Sequence, residues 1–168
     1  VTQYSREASH FLANKGIKAL VIACNTASAL ALPTLMEDKD LDIPIFGVIL
    51  PGARAAAKLT KSKVVGVIGT EATVRSQAYQ RQVRLLVRDA EIIGIRCPLF
   101  VPIIEEGWQN SEVAMLTAQE YLSGFDQHKI DTLILGCTHY PALRSTIQRV
   151  MGPEVKLVNP AYETAKEV

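Results

Sequence analysis

Cysteine is scarce in this chain of 168 residues, and its spacing does not suit a disulfide framework or a structural zinc site. Cys24, Cys97 and Cys137 are an odd number, and no two of them form a C-x-x-C pair. Disulfide-rich domains and zinc ribbons carry such pairs or an even set of cysteines. The sequence therefore argues against both classes, and we expect a reducing, cytoplasmic environment and no bound metal.

The chain also lacks long apolar runs and long basic clusters. No apolar stretch approaches the roughly 20 residues that a membrane-spanning helix needs. The net charge is +1, and no run of Lys or Arg is long enough to follow a phosphate backbone. We therefore expect neither a membrane nor a nucleic acid as partner. Apolar residues make up 48% of the chain, which predicts a packed core.

Short apolar runs alternate with helical patterns along the whole chain. Six runs predict buried strands, at 19–23, 45–49, 64–68, 91–95, 132–135 and 155–158. Helical patterns are expected at 27–36, 53–59, about 74–87, 111–122 and 140–150, with an irregular stretch at 99–108. This alternation is typical of the α/β class, with mainly parallel sheets flanked by helices.

Pro51-Gly52 and Asn159-Pro160 are the best candidates for lobe boundaries. They divide the chain into residues 1–51, a partial first lobe; residues 52–159, a second lobe; and residues 160–168, the start of a return to the first lobe.

Three strand ends carry small polar side chains where a helical pattern follows. These side chains are Cys24, Asn25 and Thr26 after the first strand, Thr70 and Thr73 after the third, and Cys137, Thr138 and His139 after the fifth. Ligands of open α/β sheets bind beyond the carboxyl ends of strands, where helix N-termini favour anions. Asparagine and threonine also serve simply as N-caps. Three similar strand ends favour a shared anion pocket.

Two of the three cysteines share this setting. A helix N-terminus favours the thiolate and lowers a thiol pKa from its usual value of about 8.5, which suits a nucleophile or a proton-transfer base. Cys97, next to Pro98, is expected to be a small buried hydrophobe. A cysteine near His139 also fits a Cys-His hydrolase. However, a hydrolase needs one nucleophile, whereas a pair of thiols fits the removal and return of a proton on opposite faces.

The residues around both thiols resemble the two cysteine motifs of the glutamate racemase family. The first motif is Val21-Ile22-Ala23-Cys24-Asn25-Thr26-Ala27-Ser28-Ala29, and the second runs from Leu133 through Gly136-Cys137-Thr138-His139 to Pro141. The segments 47–53, 66–73 and 97–102 also resemble that family, so the likeness covers essentially the whole chain.

This resemblance implies a cofactor-independent racemase that converts L-glutamate to D-glutamate for the bacterial cell wall. It implies that Cys24 and Cys137 are the two acid/base residues, that His139 assists Cys137, and that Glu105, or else Glu106, is a further acidic residue. It assigns the amino and carboxylate groups of the substrate to Asn25, Thr26, Thr70, Thr73 and Thr138. It also implies two pseudo-symmetric lobes with the active site between them.

The family's Asp-Ser-Gly strand end and Pro-Tyr-Gly loop would both lie before Val1. We therefore expect a chain truncated at both ends, an incomplete first lobe, and a homodimer of the complete protein. Aspartate or another small amino acid is the alternative substrate, and an inactive binding module is the alternative class of protein.

Overall fold

The computed structural model describes residues 1–168. It contains ten α-helices, which are α1 (Thr2–Ala13), α2 (Asn25–Leu30), α3 (Leu32–Met36), α4 (Ile49–Leu59), α5 (Glu71–Ser76), α6 (Ala78–Leu86), α7 (Phe100–Glu105), α8 (Glu112–Leu122), α9 (Arg144–Met151) and α10 (Pro160–Glu167). Its six strands are β1 (Leu20–Ile22), β2 (Ile45–Gly47), β3 (Val64–Gly69), β4 (Glu91–Arg96), β5 (Thr132–Gly136) and β6 (Lys156–Val158). None of the helices is both long and apolar enough to cross a bilayer.

The strands form two separate parallel sheets. β1 pairs only with β2, whereas the other four strands form a sheet in the order β4-β3-β5-β6. In the larger sheet Gly69 at the end of β3 pairs with Gly136 at the end of β5. The carboxyl ends of these two inner strands therefore meet side by side.

The core of the larger sheet lies on both of its faces. In β5, Leu133 and Leu135 belong to a cluster of 17 buried residues, whereas Ile134 between them belongs to a second cluster of 13. Successive side chains of a strand point to opposite faces, so a strand covered on both sides must be apolar throughout. The part that contains β1 has a cluster of only three buried residues, at Ala31, Leu35 and Leu41.

Two prolines lie inside helices whose bounds differ from the sequence-based predictions. The second strand ends at Gly47 rather than Ile49, and α4 begins at Ile49, so Pro51 is its third residue. The stretch expected to be irregular contains α7, in which Pro102 is again the third residue. The N–H groups of a first helical turn have no partner within the helix, so proline is tolerated there. The helix predicted at 53–59 therefore begins four residues earlier, and the stretch expected to be irregular contains a short helix.

Other helices are shorter than predicted. Gln77 has a positive φ of 53° and separates α5 from α6, where one long helix to about residue 87 was expected. Ala31 likewise separates α2 from α3. The division into 1–51, 52–159 and 160–168 stays a prediction, and its first boundary falls within α4.

Candidate active site

Side chains from three strand ends line one cavity of about 200 Å³. They follow β1, β3 and β5, and the residues concerned are Cys24, Asn25, Thr26, Thr70, Cys137, Thr138 and His139, joined by Val101 from α7. The structure thus brings both candidate thiols and most of the expected binding residues to one place. The roles of these residues stay predictions.

Cys24 is held at the N-terminus of α2. It is the N-cap, and its Sγ accepts a hydrogen bond from the Ala27 N–H at 3.5 Å. Such a contact satisfies one of the helix's free N–H groups and fixes the direction of the side chain. Since Cys24 is also exposed, its thiol is both oriented and accessible.

Three threonine hydroxyls contact one another between α2 and α5. Thr26 Oγ1 lies 2.8 Å from Thr70 Oγ1 and 3.0 Å from Thr73 Oγ1, and the latter two atoms are 3.0 Å apart. Thr70 also caps α5 by accepting the Thr73 N–H at 3.2 Å. Thr73 is 1% exposed and does not line the cavity, so it supports the other two. Capping and cavity lining are therefore combined in Thr70.

Cys137, His139 and Glu105 form a chain of contacts beside the same cavity. Cys137 Sγ lies 3.8 Å from His139 Nδ1, and His139 Nε2 lies 3.1 Å from Glu105 Oε1. Glu105 is the last residue of α7, whereas Glu106 lines a separate cavity with Trp108. A carboxylate at one ring nitrogen favours a proton there and leaves the other nitrogen free to exchange a proton with the thiol.

Burial raises the pKa of the Cys137 thiol. The residue is only 7% exposed. A hydrogen bond from the His139 backbone amide opposes this effect and the nearby Cys24 adds to it, leaving the pKa raised. This is the reverse of the expected lowering. The chain after Cys137 enters a 3-10 turn at Tyr140–Leu143, and α9 begins only at Arg144, so no α-helix N-terminus meets the sulfur.

Cys97 lies outside the cavity. It is fully buried, and burial raises the pKa of its thiol to about 12. Its carbonyl oxygen accepts a hydrogen bond from the Tyr140 hydroxyl at 2.8 Å. The prediction that Cys97 is a small buried hydrophobe is confirmed.

Sequence reasoning missed two residues near the cavity, Val101 and Tyr79. The Tyr79 hydroxyl donates a hydrogen bond to Asn25 Oδ1. Tyr79 lies in α6 at an apolar position, where the pattern indicates only a core aromatic. A tyrosine at such a position needs a hydrogen-bond partner for its hydroxyl, and this was the available signal. No group of three or more His, Cys, Asp or Glu side chains is arranged as metal ligands.

A match to a known protein family covers nearly the whole chain. The sequence model of the Asp/Glu/Hydantoin racemase family matches residues 3–168. This chain belongs to that family. It is 54% identical over 168 residues to a glutamate racemase from Geobacter metallireducens, an alignment that covers 100% of this chain and 62% of that relative. The chain therefore spans about 62% of the length of that family member.

Solved structures of family members share the fold. A glutamate racemase from Bacillus anthracis matches with a TM-score of 0.94 and 40% identity, covering 99% of this chain and 62% of its own. A glutamate racemase from Francisella tularensis, in complex with D-glutamate, matches with a TM-score of 0.90 and 37% identity, covering 99% and 61%. The α/β class with parallel sheets, and the family recognised from the two cysteine motifs, are thereby confirmed.

Proposed function

We propose that this chain carries the two proton-transfer residues of a cofactor-independent glutamate racemase, which interconverts L- and D-glutamate. The single observation that carries the proposal is that Cys24 and Cys137 line the same cavity. The similarity to glutamate racemases supports glutamate as the substrate. The complete protein would act as a homodimer in the cytoplasm. Its product, D-glutamate, would be used in peptidoglycan synthesis.

Racemisation needs one thiolate and one thiol on opposite faces of the substrate's α-carbon. One sulfur removes the α-proton, and the other returns a proton to the opposite face. Burial keeps Cys137 in the thiol form, which is the form that a proton donor needs. In the reverse direction His139, 3.8 Å from the sulfur, accepts the thiol proton, and Glu105 stabilises the resulting imidazolium.

The site must also stabilise the negative charge that develops when the α-proton leaves. Without a cofactor as electron sink, this charge moves onto the substrate carboxylate. Hydrogen-bond donors fixed in place before the reaction stabilise such charge effectively. Asn25, Thr26, Thr70 and Thr138 supply amide and hydroxyl donors along the cavity wall.

Solvent exchange at the α-carbon tests the two-base proposal. We would measure deuterium incorporation and racemisation of both glutamate enantiomers with this chain, and with a fusion that adds the part of the Geobacter relative that it does not match. Cys24→Ala and Cys137→Ala should each reduce racemisation by at least about 10³-fold. Each variant should keep exchange of one enantiomer only, and the two variants should keep opposite ones, because one base remains in each.

Cys97→Ala is the matched control, since it removes a thiol that does not line the cavity. It should leave racemisation within a few-fold of the wild-type rate. Racemisation that survives in both Cys24→Ala and Cys137→Ala would refute the two-base proposal. We expect the 168-residue chain alone to racemise far more slowly than the fusion, and equal specific activity would contradict this expectation.

A substrate panel decides between glutamate and the alternative acids. Glutamate should give the highest kcat/KM among glutamate, aspartate and other small amino acids. A preference for aspartate would move the proposal to an aspartate racemase. Binding of acids by the fusion without any exchange would instead indicate a binding module.

A further inference from the structure

Tyr79 is a buried tyrosine whose hydroxyl reaches the candidate active site from the core. Only 1% of the residue is exposed, and its hydroxyl donates to Oδ1 of Asn25, which lines the cavity beside Cys24. We propose that Tyr79 is a positioning residue, which holds the Asn25 side chain so that its amide NH₂ group faces the carboxylate of the bound substrate. This inference rests on the proposed function.

The count of donors and acceptors fixes the orientation of the amide. A phenol has one hydrogen, and Asn25 Oδ1 is its acceptor in the structure. If the amide were turned around, its NH₂ group would face the phenol oxygen and the buried phenol hydrogen would lose its acceptor, which is unfavourable. With Oδ1 bonded to Tyr79, Asn25 Nδ2 has no hydrogen-bond partner in the protein and is not enclosed. Its two N–H donors therefore remain available to a ligand.

The Tyr79 ring is held in place by two glycines. A Cβ atom at Gly52 would lie 3.2 Å from Tyr79 Cε1, and one at Gly136 would lie 3.3 Å from Cε2. Gly136 directly precedes Cys137, so the ring is packed against the strand end that carries the second thiol. Burial raises the pKa of Tyr79 well above its ordinary value, so the hydroxyl stays protonated and remains a donor. One side chain thus connects the surroundings of both thiols.

Tyr79→Phe removes the hydroxyl and keeps the ring. Measured in the fusion used for the exchange assay, this variant should raise KM for glutamate about ten-fold, the size of one lost hydrogen bond to a charged group. The kcat should fall as well, by up to about ten-fold, because the charge on the carboxylate increases during proton transfer and a misplaced amide stabilises it less. Tyr140→Phe is the matched control. It removes another buried tyrosine hydroxyl, one that bonds to the Cys97 carbonyl and does not line the cavity.

Two further measurements separate positioning from a general loss of stability. In an Asn25→Ala background, Tyr79→Phe should not raise KM further, since there is no amide left to orient. A crystal structure of Tyr79→Phe should show the Asn25 amide rotated or in two orientations, and that of Tyr140→Phe should show it unchanged.

The outcomes distinguish this inference from the proposed function. Absence of glutamate exchange in the wild-type fusion would refute both. Normal exchange with the same KM in Tyr79→Phe and Tyr140→Phe would refute the positioning role alone. An equal rise in KM in both variants, or an unchanged Asn25 amide in Tyr79→Phe, would also overturn it.

Discussion

The strand ends that carry Cys24 and Cys137 have similar sequences but different surroundings. Cys24 follows a strand of the two-stranded sheet and is exposed, whereas Cys137 follows the inner strand β5, all of whose residues are buried. Cys24 caps an α-helix, and Cys137 contacts the His139 side chain. Similar motifs therefore do not give thiols with the same exposure and contacts, because the neighbours of each strand determine how the sulfur is buried and what it touches.

Hydrogen exchange should show the largest difference between the two regions. We expect the amides of 133–135 in β5 to exchange at least about 10³-fold more slowly than those of 20–22 in β1, because local opening is easier where few apolar contacts are lost. Native-state exchange followed by NMR measures both sets in one sample. Similar protection in the two sheets would show that they open as one cooperative unit.

In the proposed mechanism, Glu105→Gln should slow proton transfer at Cys137 and leave proton transfer at Cys24 unchanged. Loss of the carboxylate at His139 Nε2 removes a charge-assisted hydrogen bond and should reduce racemisation by about 30-fold in the fusion. In a Cys137→Ala background the same change should not alter the remaining exchange, which depends on Cys24. Glu106→Gln is the control and should be close to wild type. An equal effect of both glutamine variants would remove the special role of Glu105.

Alkylation should rank the thiols by their environments. With iodoacetamide near neutral pH, Cys24 should react about ten-fold faster than Cys137, because the thiolate is the reactive form and burial raises the pKa of Cys137. A raised pKa means that the Cys137 thiolate forms only at higher pH. The difference between the alkylation rates of Cys24 and Cys137 should therefore decrease as the pH increases. Mass spectrometry of digests at several pH values gives the rates. Faster reaction of Cys137 at neutral pH would contradict the assigned environments.

Asp38 and Asp131 both have a lowered pKa, but for different reasons, and the expected effect that separates them is the smallest of those described. The His10 and Arg6 side chains lower the pKa of Asp38 to about 2. At Asp131 partial burial raises the pKa, but the Ser62 and Lys61 amides and neighbouring hydroxyls outweigh it and lower the pKa to about 2. In both cases the stabilisation is present above the ordinary value of about 3.9 and is lost as the pH falls towards 2.

Salt should separate these two carboxylates. Raising NaCl to about 1 M should move the pKa of Asp38 upward by a few tenths of a unit, because its partners include charged side chains. Asp131 should move less, since its partners are backbone amides and hydroxyls. NMR titration of the carboxyl carbons measures both values. A larger salt effect at Asp131 than at Asp38 would contradict the attribution of the Asp131 pKa to neutral hydrogen-bond donors.

The sequence alone was sufficient to predict the strands and the place of the site. All six strands lie within two residues of the predicted ranges, because continuous apolar runs bounded by turn residues leave few alternatives. The two cysteine motifs end β1 and β5, and residues after both strands line one cavity. Because β1 and β5 belong to different sheets, strand pairing does not bring these two ends together. The sequence predicted their proximity only from the similar polar side chains that follow each strand.

The remaining features depend on contacts between segments distant in the sequence. Pro51 was expected to precede a helix and Pro102 to lie in an irregular stretch, and their positions in first helical turns became apparent only in the structure. The raised pKa of Cys137 comes from packing around the larger sheet, which no local motif encodes. The bond from Tyr79 to Asn25 joins residues that are 54 positions apart.

The close approach of β3 and β5 also limits which substitutions are possible directly before Cys137. A Cβ atom at Gly136 would lie 2.6 Å from the carbonyl oxygen of Ile68, and a backbone oxygen cannot turn aside as a flexible side chain can. Even alanine would have to push the two inner strands apart, and Cys137 would move with them. A ligand held against Cys137 in the cavity therefore rests on a backbone that a substitution of Gly136 cannot shift without also displacing the Cys137 thiol.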